Sequence, residues 1–189
     1  MTWLDKYIQK QRFKRIGRFI PHTCSLLDIG AHRGELFLYL NSTEGGSKQV
    51  SGVGVEPLTL SRSHISGVKF IKGQFPEVMH TEHTKFDVIT MLAVLEHVPI
   101  VEHRSWSEAI AGLLKPGGLL LITVPDKRVD FLLDILTKLR LIDGMSLEEH
   151  FGFDADITSS IFSLPQFKLV LHQKFQFGLN NLFVFERMI

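Results

Sequence analysis

The stretch LLDIGAHRGEL, residues 26–36, decides the fold, because an apolar strand pattern ends there at an acid and a glycine-rich turn that opens directly into a helical pattern. Gly30 and Gly34 bracket the turn, and glycine lets the backbone approach a ligand closely. The apolar residues beyond the turn recur at helical spacing: Leu36, Phe37 and Leu40. The stretch therefore predicts a strand, a ligand-binding turn and a helix in succession.

The glycines of this turn do not have the spacing of a dinucleotide-binding loop. That loop needs G-x-G-x-x-G, but His32 stands at the second glycine position and Glu35 at the third. The turn also lacks the lysine and the serine or threonine of a phosphate-binding loop. Phosphate is therefore a poor candidate for the ligand.

A second strand pattern, GVGVEPL at residues 52–58, places Glu56 at its end. An acid at the end of the second strand of an open α/β sheet can accept hydrogen bonds from the vicinal hydroxyls of a ribose. The alternative is an acid that caps a helix or is solvated. We expect the ribose role, because Glu56 follows the glycine-rich turn in the order that such a site requires.

Three more apolar segments follow in order: VKFIKGQFPEV at residues 68–78, FDVITMLAVLEHVP at 86–99 and GLLKPGGLLLITVPD at 112–126. With Asp28-x-Gly30-x-x-x-Gly34, they make residues 10–130 resemble the class I S-adenosylmethionine-dependent methyltransferases, and within them the small-molecule enzymes of quinone-biosynthesis type. The first motif of that family is usually D-x-G-x-G-x-G. His32 stands where the middle glycine normally lies, and we expect its side chain to point to solvent.

The resemblance implies S-adenosylmethionine as the cofactor and a role for each motif. Asp28 and the loop of Gly30, His32 and Gly34 would hold the methionine half, and Glu56 the two ribose hydroxyls. The remaining contacts that the resemblance implies lie beside the adenine or after the fourth strand: Gln74, Phe75, Met91, Leu92 and Ala93. The sulfonium cation of S-adenosylmethionine favours a site with two carboxylates over one lined with lysines.

The order of the predicted elements favours an α/β fold with a Rossmann-like, mostly parallel sheet flanked by helices and a C-terminal antiparallel hairpin. The predicted strands are residues 24–29, 51–55, 68–71, 86–91, 118–124, 167–175 and 181–187. The predicted helices are residues 3–20, 34–41, 58–66, 103–114, 131–141 and 158–163, with a brief helix or turn at 75–80. Two short turns are predicted: Pro116-Gly117-Gly118 before the fifth strand, and Gly178, Asn180 and Asn181 in the hairpin.

Composition limits the classes of protein that the chain can represent. With 189 residues, 44% of them hydrophobic, residues 1–189 are expected to form a single domain. A formal net charge of +1 provides no global field for nucleic acid, so a small-molecule partner is expected. Cys24 is the single cysteine, which rules out an internal disulfide and favours a cytoplasmic setting. The longest strongly apolar stretch, residues 117–124, is too short to span a bilayer.

Residues 3–20 mix apolar and basic side chains and predict an amphipathic helix that ends before Pro21. Its expected role is packing, with binding to a membrane surface as the alternative. In the resembling family a helix of this kind covers the cofactor. Arg12 or Arg15 would then reach the carboxylate of the methionine moiety, whereas the alternative is a solvated arginine face.

Catalysis is less strongly indicated, because methyl transfer from a sulfonium depends mainly on holding the reacting atoms in line. His97, directly after Glu96, is the best-placed general base for a hydroxyl acceptor, unless it supports the next helix. His150 lies in EEHFGFDADI, residues 148–157, and is a second candidate acid–base group. In the resembling fold, insertions here cover the acceptor pocket, so residues 126–165 are a possible substrate lid or an ordinary loop.

The segment after the fourth strand also bears on metal binding and on the acceptor atom. Some similar quinone-biosynthesis enzymes carry E-x-x-E-H there, but Ala93 replaces the first acid, so we expect no required metal. The cluster of His80, Glu82 and His83 is expected to be solvated. No Asn-Pro-Pro-Tyr or Asp-Pro-Pro-Tyr motif follows, which favours oxygen over a nucleic-acid amine as the acceptor. The predicted function is methyl transfer to a small molecule, and the alternative is a catalytically inactive cofactor-binding partner or regulator.

Overall fold

The protein is described by a computed structural model that covers residues 3–58, 64–128, 154–163 and 165–189. Its centre is one seven-stranded sheet in the order β3-β2-β1-β4-β5-β7-β6. The strands are β1 Thr23–Ile29, β2 Gln49–Glu56, β3 Val68–Lys72, β4 Phe86–Leu92, β5 Leu114–Pro125, β6 Phe167–Phe175 and β7 Asn180–Arg187. The first five strands pair in parallel, and β7 pairs antiparallel with β5 and β6. The predicted fold class is therefore confirmed.

Helices cover both faces of this sheet, which explains why its central strands are apolar almost throughout. The helices are α1 Trp3–Ile16, α2 Glu35–Asn41, α3 His103–Leu113 and α4 Thr158–Ile161. Short 3-10 turns lie at Glu77–Met79, Leu95–His97, Ile100–Glu102 and Ala155–Ile157. None of the helices in these described ranges is long and apolar enough to cross a membrane.

The core has two layers because successive residues of a strand point to opposite faces. Leu26 of β1 packs with Ile16 of α1 and Phe37 of α2 on one face. Leu27 packs with Ile110 of α3 on the other face. All five side chains are almost completely buried. These two layers fix β1, and the turn that follows it, between α1 and the rest of the sheet.

Several predicted boundaries are corrected by the structure. The first helix ends at Ile16 and not at residue 20, because the last helical hydrogen bond runs from the N–H of Gly17 to Phe13 and the next closes a turn. Of the helix predicted at 58–66, residues 59–63 lie outside the described residues. Residues 64–66 are not helical, because the chain turns at Gly67 (φ +74°) to enter β3.

The two predicted short turns also differ. Leu114 already pairs with Phe86 and Leu119 pairs with Val88, so residues 115–118 form a bulge inside β5 rather than a turn before it. In the hairpin, Asn180 and Asn181 belong to β7, and the turn consists of residues 176–179. The reason is that Gln176, Phe177 and Gly178 all adopt positive φ and reverse the chain before the asparagines. The helix predicted at 131–141 lies outside the described residues.

Candidate functional site

Part of the predicted site lies where the strand order of the sheet changes direction, between β1 and β4. In open α/β sheets a crevice opens at this point beyond the carboxyl ends of the strands, and ligands bind there. Asp28 of β1 pairs with Gly54 of β2 on one side and Thr90 of β4 on the other. The turn that follows β1 therefore lies between the ends of β2 and β4.

The turn after β1 depends on left-handed backbone conformations. Gly30 and Gly34 have φ of +78° and +82°. A Cβ on Gly30 would lie 2.4 Å from Cγ2 of Val94, so only glycine fits there without movement. His32 also has a positive φ, 46°, which explains why a glycine is usual at its position. Its side chain is 46% exposed, as expected, and Nδ1 lies 2.9 Å from Oε1 of Glu35.

Glu56 at the end of β2 is 8% exposed, and its side chain binds backbone N–H groups of the turn after β1 and of the residues that follow β2. Oε2 accepts a hydrogen bond of 2.9 Å from the N–H of His32, and Oε1 accepts one of 3.1 Å from the N–H of Leu58. A carboxylate has about four acceptor sites, so two N–H donors leave capacity for the hydroxyls of a ligand. Glu56 thus offers an acceptor for a ligand, as the sequence predicts. It also organises the turn, a role that the sequence did not indicate.

Asp28 is a buried carboxyl at the end of β1. Its Oδ1 accepts a hydrogen bond of 2.6 Å from the hydroxyl of Thr90. Burial raises the pKa of Asp28 to about 7, with smaller contributions from Glu35 and Glu56, while the Thr90 hydroxyl opposes the shift. Removing a carboxylate from water penalises its charged form, and a nearby cation reverses that penalty. The site therefore favours a ligand that carries positive charge.

A cavity of about 60 Å³ joins α1 to the turn. Its lining residues come from α1, β1, the turn, α2 and β4: Gln9, Arg12, Phe13, Asp28, Gly30, Ala31, His32, Glu35, Leu36 and Leu92. Four of the predicted cofactor residues therefore share this cavity: Asp28, Gly30, His32 and Leu92. Gly34 belongs to the same turn, and Glu56 of β2 accepts a hydrogen bond from His32 of the lining.

The remaining predicted cofactor residues do not line the cavity. Phe75 is buried in the core, where its ring packs edge-on against Trp106 at 4.9 Å between centroids. Met91 is also completely buried. Gln74 is exposed at the turn after β3. Ala93 adopts a positive φ of 58° beyond the end of β4, where its N–H donates to the carbonyl of Thr123.

Two arginines of α1 were candidates for this site, and their surroundings differ. Arg12 lines the cavity, and its Nη2 donates a hydrogen bond of 3.2 Å to Oδ1 of Asn180. Its Nε is buried without a hydrogen-bond partner among the described residues. Burial lowers the pKa of Arg12 and the charge of Glu96 opposes this, but arginine remains protonated in proteins. Arg15 instead lies over the ring of Phe175 at 6.0 Å.

The candidate catalytic histidines are less well placed. His97 is exposed at the end of a 3-10 turn, next to buried Glu96, and does not line the cavity. His150 and most of the possible lid at 126–165 lie outside the described residues. Across the described ranges, no group of three or more His, Cys, Asp or Glu side chains could hold a metal ion. His80 and His83 are exposed.

The family model for a methyltransferase domain matches residues 4–179. The chain therefore belongs to the methyltransferase-domain family, and its fold is that of the class I S-adenosylmethionine-dependent methyltransferases. The methyl donor of the family is S-adenosylmethionine, so the predicted cofactor is confirmed at the level of the family. The sequence does not indicate Asn180, because its contact with Arg12 joins residues 168 positions apart and follows no local pattern.

Similar curated proteins include ubiquinone biosynthesis O-methyltransferases. The protein of Cronobacter sakazakii is 35% identical over 97 residues, which are 49% of this chain and 39% of that protein. The protein of Aeromonas salmonicida is 36% identical over 104 residues, 52% of this chain and 42% of that protein. The matched stretch thus spans about two fifths of the length of these relatives.

Solved structures share the fold over almost the whole chain. The PH0226 protein of Pyrococcus horikoshii has a TM-score of 0.69 and 16% identity, and the match covers 98% of this chain and 92% of that one. The 1,6-didemethyltoxoflavin-N1-methyltransferase of Burkholderia thailandensis, crystallised with S-adenosylhomocysteine, has a TM-score of 0.70 and 16% identity, with coverage of 99% and 81%. At this identity the likeness is one of fold.

Proposed function

We propose that this chain transfers the methyl group of S-adenosylmethionine to an oxygen atom of a small-molecule acceptor. One observation carries the proposal: the cavity brings the Arg12 guanidinium, the Asp28 carboxyl and the left-handed turn after β1 together at the carboxyl end of the sheet. When bound, S-adenosylmethionine supplies a methyl group activated by a sulfonium. The acceptor atom rests on the curated relatives, which are named as O-methyltransferases.

The residues of the site fit the chemical groups of the cofactor. Arg12 would bind the carboxylate of the methionine moiety, because its buried Nε lacks a hydrogen-bond partner in the described part of the chain. The buried carboxyl of Asp28 suits the positive charge of the methionine moiety. Glu56 would accept from the ribose hydroxyls, and Leu92 would contact the ligand from β4. Gln74, exposed after β3, would lie beside the adenine.

The part that the chain itself plays in catalysis is orientation and proton transfer. Holding the acceptor in line with the methyl group can supply much of the rate acceleration. We propose His97 as the base that takes the proton of a hydroxyl acceptor, because it is exposed just beyond the end of β4. His150 and the segment 126–165 stay predictions for the acceptor side, as does a cytoplasmic location.

One observation favours a second candidate, a cofactor-binding protein without transfer activity. Ala93 occupies the position where similar enzymes have the first acid of E-x-x-E-H. If those enzymes need the acid for catalysis, its loss leaves binding intact and removes transfer.

An assay with radiolabelled methyl groups separates these candidates. The protein is incubated with methyl-labelled S-adenosylmethionine and a panel of small molecules that carry hydroxyl, amine or carbon nucleophiles, with and without a chelator. Label on a hydroxyl compound supports the proposal. Label only on amines or carbon compounds overturns the oxygen assignment. Tight cofactor binding with no label on any extracted small molecule, including those of a cell extract, supports the second candidate.

A further inference from the structure

The turn between β6 and β7, residues 176–179, contacts α1 through a continuous chain of side-chain hydrogen bonds. Gln176 Nε2 donates to the carbonyl of Ile8 at 3.2 Å. Asn180 Nδ2 donates to Gln176 Oε1 at 2.6 Å. Arg12 Nη2 donates to Asn180 Oδ1 at 3.2 Å. The chain begins at a backbone carbonyl of α1 and ends at a guanidinium of the same helix.

The direction of these hydrogen bonds follows from the first acceptor, the carbonyl of Ile8. A backbone carbonyl can only accept, so the amide of Gln176 must present its nitrogen to Ile8 and its oxygen to Asn180. Asn180 must then present its nitrogen to Gln176, which leaves its oxygen directed at Arg12. Every amide therefore has a single orientation. Asn180 is 5% exposed, so water does not compete strongly for these bonds.

The choice of a neutral acceptor matters for the charge of Arg12. A guanidinium has five N–H donors, and the described bond to Asn180 uses one of them. Because an amide oxygen carries no net charge, this contact orients Arg12 without adding to the negative charge of Glu96 that already acts on it. A carboxylate at residue 180 would form an ion pair with Arg12 and compete with an anionic group of a ligand.

The backbone of the turn supports the same role. Gln176 and Phe177 adopt positive φ, 51° and 58°, although neither is glycine. Such conformations are costly for ordinary residues and persist where the surroundings fix them. The ring of Phe175 lies under Arg15, and Arg128 Nη2 donates to the carbonyl of Gly178 at 2.7 Å. The turn is thus held against α1 at one end and near the end of β5 at the other.

We propose that Asn180 is a positioning residue of the cofactor site, which, supported by Gln176, holds Arg12 for the carboxylate of the methionine moiety. This inference rests on the proposed function, because it takes that carboxylate as the ligand of Arg12. It makes the C-terminal hairpin a part of the cofactor site, although the hairpin contributes no residue to the lining of the cavity.

Two ligands test the inference without any methyl transfer. S-adenosylhomocysteine carries the amino-acid carboxylate, whereas 5′-methylthioadenosine has the same nucleoside and a thioether but no carboxylate. We expect Asn180→Ala and Asn180→Asp to weaken S-adenosylhomocysteine about tenfold in calorimetry, the loss typical of a hydrogen bond that orients a charged group. The affinity for 5′-methylthioadenosine should stay within about twofold of the wild type. Gln173→Ala, an exposed change on β6, is the matched control and should alter neither affinity.

A double-mutant cycle with Arg12→Gln shows whether Asn180 acts through Arg12. We expect Asn180→Ala to have no further effect on S-adenosylhomocysteine once Arg12 is replaced. If Arg12→Gln weakens that ligand selectively and Asn180→Ala does not, the inference is wrong and the proposed function stands. If the wild type binds neither S-adenosylmethionine nor S-adenosylhomocysteine, the proposed function itself fails.

A second variant covers the case in which Asn180→Ala does not fold. Asparagine tolerates positive φ, so Gln176→Asn keeps the turn but is too short to join Ile8 to Asn180. We expect it to weaken S-adenosylhomocysteine about threefold and to leave 5′-methylthioadenosine unchanged. Equal losses for both ligands in this folded variant would contradict a positioning role and assign the turn to stability alone.

Discussion

Asp28 is the residue at which the charge of the site depends on pH near neutrality. Its pKa is raised to about 7, chiefly because the carboxyl is buried. A cationic ligand binds better to the ionised carboxylate than to the protonated form. Affinity for S-adenosylmethionine should therefore increase as the pH rises through this pKa.

We expect S-adenosylmethionine to bind about tenfold more tightly at pH 8 than at pH 6. With a pKa of about 7, about nine tenths of Asp28 is protonated at pH 6 and must lose its proton on binding. Calorimetry at the two pH values measures the ratio. Asp28→Asn cannot ionise and should show a change of less than about twofold. The same pH dependence in Asp28→Asn would assign the titration to another group.

His97 tests the catalytic part of the proposal. His97→Ala should lower kcat about 100-fold, since a lost general base typically costs this much, and should leave the affinity for S-adenosylmethionine nearly unchanged. The measurement uses an acceptor found in the labelled-methyl assay. His80→Ala, a change at another exposed histidine, is the control and should keep normal kcat. Normal kcat with a lower Tm in His97→Ala would make His97 a structural residue.

At the scale of the element, the turn after β1 is determined by its contacts with Val94, just beyond β4, and with Phe70 of β3. Gly30 packs against Val94, and Gly34 would place a Cβ 2.5 Å from Cζ of Phe70. The glycines are thus required both by φ and by space. This distinction gives the turn a test that does not depend on any ligand.

Gly30→Ala should lower the free energy of unfolding by about 2–4 kcal/mol, because it combines a left-handed alanine with a clash against Val94. Gly46→Ala is the matched control: Gly46 has φ +95°, but a Cβ added there would meet no atom within 4 Å, so its loss should be about 1–2 kcal/mol. Urea denaturation measures both. Adding Val94→Ala to Gly30→Ala should recover part of the loss, and equal losses in the two single variants would show that the clash has no effect.

The elements differ in how far the sequence could predict them. The sequence identified β1 from a continuous apolar run, which a strand buried on both faces requires, and α2 from apolar residues at helical spacing. The place of Phe75 beside the adenine stays a prediction, and the sequence did not indicate the packing of its ring against Trp106. It did not indicate the bulge at 115–118, which depends on the register with β4. Arg12 and Arg15 could not be separated, because their neighbours come from the distant hairpin.

The whole molecule is organised around the reversal of strand order between β1 and β4. Helices α1 and α2 cover one face of the sheet and α3 the other, and the cavity opens where α1 meets the end of β1. The antiparallel strands β6 and β7 reach this end through the turn at 176–179. The site therefore draws on both ends of the chain, although the motifs visible in the sequence lie between residues 26 and 126.

The most direct test of the account is a calorimetric titration of the protein with S-adenosylmethionine and, separately, with NADH. We predict one molecule of S-adenosylmethionine bound per chain with micromolar affinity and no binding of NADH. Glu56→Ala should weaken the binding by about 1.5–3 kcal/mol for each hydrogen bond lost, whereas Glu77→Ala, an exposed change outside the site, should not. Binding of NADH alone, or unchanged affinity for S-adenosylmethionine in a folded Glu56→Ala protein, would contradict the account.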